Sequence, residues 1–477
     1  MKNLLKRISI AYLPFADAAS DDLPLGQLLR LSLFQISVGM AAVMLLGTLN
    51  RVMIVELQVP AFLVASMVAL PVLIAPFRAL LGFKSDTYKS AIGWKRIPYL
   101  WFGTLWQFGG LAIMPAALLV LGGDVTQVRY DIPYAGELLA GIAFLMTGLG
   151  MHMTQTAGLA LAADRATDET RPRVVALLYV MFLIGMGGSA LIIGWLLREF
   201  TAIELIQVIQ GTAVVTVVLN VIALWKQETV KPMTKAQREA EDTPSFRDAW
   251  ADYMGGGAAG RLLVVVFLGT MAFNMQDVLL EPYGGEILGL SVSATTLLTA
   301  SWAVGALVAF GLAAKWLAQG INPFRMGGRG ILAGLVAFSA VIFAHPWDSA
   351  PLFFAGALLI GFGGGLFSVA TLTAAMTMPA GKAGRGLALG AWGAAQATAA
   401  GLATLIGGGL RDVVNSAATQ GHLGVALNDP ATGYSVVYHV EILLLFVTLV
   451  ALGPLVRTAT TNREGGAGKF GLADLPT

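Results

Sequence analysis

Gly82-Phe83-Lys84-Ser85-Asp86, followed by Gly93-Trp94-Lys95-Arg96, is a short charged interval between two long apolar runs, 59–82 and 97–121. Each run is about the length of a bilayer crossing, which takes about 20 apolar residues at about 1.5 Å of rise per residue. The same alternation continues in both directions. Further apolar runs at 31–55, 137–163, 174–197, 203–225, 261–281, 293–314, 330–346, 351–378, 387–410 and 434–456 bring the predicted crossings to twelve. Basic residues collect in the N-terminal segment, in alternate gaps and in the tail. Of the 30 Lys and Arg, only Arg51, Arg129, Arg198 and Arg411 fall on the opposite side. A wrong number of crossings would scramble that bias. The pattern therefore predicts a multi-pass membrane protein with both termini cytoplasmic.

Composition agrees. The chain is 56% hydrophobic and only 12% charged, against about 25% charged in soluble domains, so its solvent is expected to be membrane lipid. The net charge of +2 follows the topology and points to no nucleic-acid partner. With no cysteine, disulfides, thiolate metal sites and cysteine nucleophiles are excluded. Met1 to Arg30 lacks a continuous apolar core and contains Asp17, Asp21, Asp22, Pro14 and Pro24, so it does not read as a signal peptide. Leu4, Leu5, Ile8 and Leu13 with Lys2, Lys6 and Arg7 read either as a short helix on the cytoplasmic leaflet or as a frayed start. There is no His-Glu-x-x-His zinc motif, no Walker A loop and no Ser-centred nucleophile elbow. The expectation is a non-enzyme with no ATP site and no dedicated metal site.

The longest polar gap, 226–260, ends in Gly255-Gly256-Gly257 and divides the crossings six and six. The predicted organisation is a cytoplasmic N-terminal segment 1–30, a six-helix bundle 31–225, a cytoplasmic linker 226–260, a second six-helix bundle 261–457 and a cytoplasmic tail 458–477. The halves repeat weakly. Ile193-Gly194-Trp195-Leu196-Leu197-Arg198-Glu199 matches Ile406-Gly407-Gly408-Gly409-Leu410-Arg411-Asp412. Arg198 with Glu199 and Arg411 with Asp412 thus form paired structural elements, each Arg holding its acidic neighbour or a lipid phosphate. Two parallel six-crossing halves resemble the major facilitator architecture, an all-α polytopic fold with two pseudo-symmetric halves. The opening interval resembles that superfamily's Gly-x-x-x-Asp motif, with its basic pair a few residues late. Asp86 at a helix N-terminus is expected to accept backbone donors and to salt-bridge a cytoplasmic gate. The alternative is a solvated loop. Glycine supplies 57 of 477 residues, about 12% against an average near 7%. Its clusters inside crossings predict close helix approach, and Gly187-Gly188 is a candidate bending point.

Polar groups inside crossings are the default functional candidates, since each costs a few kcal/mol (~3) unless paired or wetted. Crossing one ends in Asn50, Arg51 and Glu56, and crossing seven in Asn274, Gln276, Asp277, Glu281 and Glu286. These occupy equivalent heights, so Arg51 pairing with Asp277 or Glu281 would lock an outer gate. Simple interfacial placement is the alternative. His152 is the one imidazole near the middle of a crossing, with Gln155 and Thr156 one turn on. It can ligate a porphyrin-type metal, donate a hydrogen bond or titrate, or it can be satisfied by a carbonyl of a neighbouring helix.

Several longer segments carry a closer resemblance. They are 23–35, 47–57, Gln107-Phe108-Gly109-Gly110, Thr154-Gln155-Thr156-Ala157-Gly158-Leu159-Ala160, Leu280-Glu281-Pro282-Tyr283-Gly284-Gly285-Glu286 and Gly386-Leu387-Ala388-Leu389-Gly390-Ala391-Trp392-Gly393. From about Pro14 to Arg457 the chain resembles the PucC/LhaA family of purple phototrophic bacteria, the bacteriochlorophyll-delivery branch of the major facilitator superfamily. The N-terminal segment leans to the LhaA type (core antenna, LH1) over the PucC type (peripheral antenna, LH2). The resemblance implies an assembly factor of the cytoplasmic or intracytoplasmic photosynthetic membrane. It would hand bacteriochlorophyll, as cargo, to the light-harvesting antenna α and β polypeptides, alongside bacteriochlorophyll synthase and the membrane insertion machinery. A flat metallated ring with a long apolar tail suits a chain whose middle is rich in Gly, Ala, Met and Phe. The candidate pigment contacts are His152, Gln155, Thr156 and Gln107. His152, Gln155 or a water they hold would face the pigment magnesium, which prefers oxygen ligands. Two other functions compete: a proton-coupled small-molecule transporter using Asp277 or Glu281, and a chaperone of antenna helices that never holds pigment.

Overall fold

The computed structural model describes residues 16–20, 22–49, 52–53, 57, 59, 61–122, 134–197, 201–234, 245–255, 257–290, 292–378, 384–424 and 427–464. The described residues form helices α1 (Leu25–Ala42), α2 (Ala61–Ile74), α3 (Arg78–Asp86), α4 (Ile97–Leu121), α5 (Ala135–Arg165), α6 (Arg171–Leu196), α7 (Ala202–Leu224) and α8 (Phe246–Gly255). Beyond the linker come α9 (Ala258–Asn274), α10 (Leu280–Glu286), α11 (Val292–Ala318), α12 (Pro323–Ala344), α13 (Ala350–Thr377), α14 (Gly384–Thr419) and α15 (Ala431–Glu464). In lipid every backbone polar group must be satisfied within its own segment, which is why long apolar runs become helices.

Eleven of these spans are long and apolar enough to cross a membrane. The remaining predicted crossing, 387–410, lies within α14, where Gly, Gln396 and Thr dilute the apolar residues. Local signals set the ends. Thr201 caps α7 by accepting from the Glu204 N–H at 3.1 Å. Asn322 caps α12 ahead of Pro323, accepting from the Phe324 N–H at 2.8 Å.

One sequence expectation is corrected here. The second crossing, expected to end at 82, runs on to Asp86. After Pro71 the chain tightens into a 3₁₀ turn, Ala75–Phe77, and resumes as α3. The helix changes pitch instead of ending, which carries Arg78 indoors at 2% exposure.

The chain divides into two compact units, Met1–Gly255 with Ala375–Gly401, and Gly256–Ala374 with Leu402–Thr477. In the first unit α4 and α5 interlock through small residues. A Cβ on Gly150 would stand 2.2 Å from the Gln107 nitrogen, and one on Gly110 would stand 2.3 Å from Thr147 Oγ1. Such spacing lets dispersion contacts and short polar contacts hold helices that lipid does not press together. In the second unit, Tyr283 packs against Phe353, Tyr434 and Tyr438 with ring centroids 5.3–5.5 Å apart.

Candidate functional site

Two polar clusters stand out in the first unit. At the start of α4, Glu228 accepts the backbone N–H groups of Lys95, Arg96 and Ile97, each at 3.1 Å. This satisfies donors that a helix N-terminus leaves open. Arg96, 4% exposed, ion-pairs with Asp86, reaches Asp164 Oδ2 at 3.0 Å and donates to Ser85 Oγ at 2.6 Å. Burial alone would lower the Arg96 pKa, but Asp86 and Asp164 outweigh it and leave the guanidinium above its ordinary value. Asp86 also accepts the Gly386 and Leu387 N–H groups of the first turn of α14, at 3.0 and 2.8 Å. Arg385 donates to the Ala163 carbonyl at 3.3 Å. One carboxylate therefore ties α3, α4 and α14 at a single point. The linker joins this end, since Lys231 and Met233 donate to Ile92 and Ala91 carbonyls at 2.9 and 3.0 Å. Phe246 of α8 packs edge-on against Phe83.

The second cluster surrounds Arg78. Its Nε donates to Thr156 Oγ1 at 3.0 Å, Nη1 to the Gly393 carbonyl at 3.2 Å and Nη2 to Gln155 Oε1 at 3.0 Å. Thus Gln155 and Thr156 spend these acceptor oxygens on an arginine that sequence reasoning did not single out. One turn before them, His152 Nε2 lies 3.1 Å from the Pro71 carbonyl. A carbonyl only accepts, so Nε2 carries the proton. In the neutral ring Nδ1 is then a lone pair, and it is buried without a partner. Gln107 is fully buried and donates to the Ser37 carbonyl at 3.0 Å, while its Oε1 has no partner. Gln155 and Thr156 meet at Arg78, while His152, one turn before them, meets the Pro71 carbonyl. Gln107 packs where α4 meets α5 and bonds to α1.

In the second unit, Asp277 is exposed and accepts from Asn274 at 2.8 Å and Gln276 at 2.5 Å. Glu281 accepts from the Thr299 hydroxyl at 2.6 Å. Arg411 holds Asp412 at 2.9 Å, as the sequence pairing anticipates, and also Glu286 at 2.6 Å. The guanidinium lies 4.6 Å over the Tyr434 ring, and Tyr434 donates to the same Glu286 oxygen at 2.7 Å. Asn50, Arg51, Glu56, Arg198 and Glu199 lie outside the described residues, as does the N-terminal stretch through Phe15.

Sequence reasoning missed Glu441, which is fully buried in α15. The Gln276 backbone N–H points toward its carboxyl, yet neither oxygen completes a hydrogen bond. The available signal was an acid within an apolar run. Replacing it removes two orphaned acceptors, so Glu441→Leu is expected to raise thermal stability by about 1–3 kcal/mol. Thermal unfolding in detergent checks this, and a lower midpoint would mean that the carboxyl has a native partner.

Comparison with known proteins places this geometry. The family description PUCC protein matches residues 48–460. The chain is 62% identical over 479 residues to the Rhodobacter capsulatus "uncharacterized protein in puhA-bchM intergenic region", covering 100% of this chain and 99% of that protein. It is 54% identical over 413 residues to protein PucC of Rhodovulum sulfidophilum, covering 86% and 90%. Among solved structures, the major facilitator superfamily proton:xylose symporter XylE superposes with a TM-score of 0.62 at 13% identity, over 90% of this chain and 95% of that one. An Asp86 tie across three helices, glycine-interlocked spans and a match over most of the length converge: the chain is a multi-pass membrane protein of the PucC family, built on the major facilitator fold.

Proposed function

We propose that the protein is a non-catalytic assembly factor for a bacterial light-harvesting complex, with LH1 as the favoured client. It binds bacteriochlorophyll and delivers it to the antenna α and β polypeptides in the photosynthetic inner membrane, with both termini cytoplasmic. Bacteriochlorophyll synthase and the insertion machinery are the natural neighbours of such a handover. The observation that carries the reading is the end-to-end family match, at 62% identity to the puhA-bchM relative against 54% to a PucC protein. That ordering favours the LhaA type over the PucC type.

The first unit supports it. Its buried polar side chains include two with an unpartnered acceptor, His152 and Gln107. His152 Nδ1 offers one lone pair to a magnesium or to its bound water, and the Gln107 oxygen offers another acceptor. Deleting the gene in a purple phototroph is expected to lower LH1 absorbance several-fold while LH2 persists. Loss of LH2 with LH1 intact would reassign the client. Unchanged levels of both would remove the assembly role.

A further inference from the structure

Glu441 lies ten residues past Ala431, the first residue of α15. At about 1.5 Å of rise per residue that is about 15 Å along the helix, half of a hydrocarbon core about 30 Å thick. The side chain is fully buried, and both carboxylate oxygens lack a partner. Among the described residues no cation pairs with it. On α12, which packs against α15, Arg329 lies over the Trp316 ring, and His345 just beyond the helix faces Asp429. Arg411 is taken by Asp412, Glu286 and Tyr434. A carboxylate charge at that depth is costly unless something neutralises it.

The backbone beside it is interrupted. α9 stops at Asn274, a 3₁₀ turn runs through Met275–Val278, and α10 resumes at Leu280, all within the single apolar span Ala258–Glu286. The turn faces Glu441, since the Gln276 N–H points toward its carboxyl and Asp277 is within electrostatic reach of it. Tyr438, one turn before Glu441, is also within electrostatic reach, and its hydroxyl is buried without a partner. α14 seats the turn closely: a Cβ on Gly407 would stand 2.5 Å from the Met275 carbonyl oxygen. A break of this kind leaves carbonyls outside the helical ladder and sets the negative end of a helix dipole deep in the membrane. Both attract a cation, and unwound backbone beside a half-helix C-terminus is how many membrane carriers hold a coupling ion.

We infer that Glu441 and Asp277, with the 3₁₀ turn between α9 and α10, form a binding site for one small monovalent cation, sodium. The available donors are oxygens, which suit a hard ion. Asp277 already accepts from Asn274 and Gln276, so the bare charge is that of Glu441, and one positive charge cancels it. A proton would satisfy one Glu441 oxygen and add an O–H donor that itself needs an acceptor, whereas a metal ion engages both oxygens. Asp277 is exposed, and an acid inside a span faces water, so it marks the approach. Sodium held here joins α15 to the break between α9 and α10, which gives a chain with no Walker A loop an ion gradient to draw on. The sequence predicted no dedicated metal site because the two acids sit on separate spans. This site stands on the second unit alone and is independent of the pigment reading. The stability gain expected of Glu441→Leu belongs to the sodium-free chain, and sodium should cancel or reverse it.

The test is thermal unfolding of the full chain in nanodiscs, in choline chloride and in sodium chloride at equal ionic strength and fixed pH. Sodium at about a hundred times its dissociation constant is expected to raise the wild-type midpoint by about 3–5 °C, saturably. Glu441→Gln keeps the shape and removes the charge, so its midpoint should be the same in both salts. Asp277→Asn should need about tenfold more sodium for the same rise. Equal wild-type midpoints in sodium and choline overturn the site, as does a sodium response that survives in Glu441→Gln. A midpoint that ignores sodium but rises as the pH falls would make Glu441 a proton site and would equally overturn the proposal. If Glu441→Gln does not fold, the wild-type comparison of the two salts decides alone.

Discussion

Asp86→Ala is expected to cost about 3–5 kcal/mol, the range for removing one partner of a buried ion pair. Arg96 would keep Asp164 and Ser85 but lose the ion-paired carboxylate beside it, at 5% side-chain exposure. The Gly386 and Leu387 N–H groups would lose a charged acceptor in the same step. The loss should be local before it is global. Hydrogen exchange over the first turn of α14 should speed up by orders of magnitude, while the α4–α5 contact stays protected. Asp86→Asn keeps the shape but turns an amide toward donors, so it should fall between the two. Removing both partners, as Asp86→Ala with Arg96→Met, should recover part of the loss, because the stranded charge is then gone. Unchanged exchange at Gly386 and Leu387 in Asp86→Ala would show that the carboxylate does not hold this helix.

Gly82→Ala is the second large effect, and its cause is purely steric. The added Cβ would stand 1.8 Å from the Gly386 carbonyl oxygen and 2.5 Å from its carbon. Both are backbone atoms, so no rotamer change relieves the overlap. α3 and α14 must part, and the Asp86 tie beside them lengthens. The expected cost is about 3 kcal/mol or more, at the upper end for overpacking, with the same faster exchange at the start of α14. Gly187→Ala and Gly188→Ala are the matched controls. Nothing lies within 4 Å of a Cβ at either position in α6, and alanine favours a helix by about 0.5–1 kcal/mol. They should be neutral or mildly stabilising. If they stabilise the fold yet abolish antenna assembly, the pair bends in function, as its place in the sequence suggests. A Gly82→Ala protein as stable as wild type would mean that the α3–α14 contact is not tight.

Much of this fold was legible in the sequence because lipid allows few solutions: run length sets the spans, and basic residues mark alternate gaps. The surroundings of Asp86 were legible in part: paired basic residues beyond an acid call for an ion pair, but Asp86 ends α3 instead of starting a helix, and its backbone donors come from α14, 300 residues on. The partners of Arg78 were not legible, because a charge near the end of the run 59–82 reads as lying at the membrane boundary. Only the 3₁₀ turn after Pro71 shows that the helix continues through it. Gln155 and Thr156 drew attention as free pigment contacts, and the structure gives their oxygens to that arginine. The Arg411–Asp412 pair sits one residue apart and could be read directly, whereas Glu286 lies 125 residues from Arg411. Long-range partners of this kind leave no local trace. Glycine spacing revealed that helices approach closely, but not that Gly82 meets Gly386 or that Gly393 meets Arg78.

The most direct measurement is the absorption spectrum of the intact protein, gently solubilised from cells that make bacteriochlorophyll and freed of antenna subunits. A pigment carrier should retain a bacteriochlorophyll band in near-stoichiometric amount. Colourless wild-type protein that still captures antenna α and β polypeptides would contradict the carrier account and leave a chaperone of helices in its place.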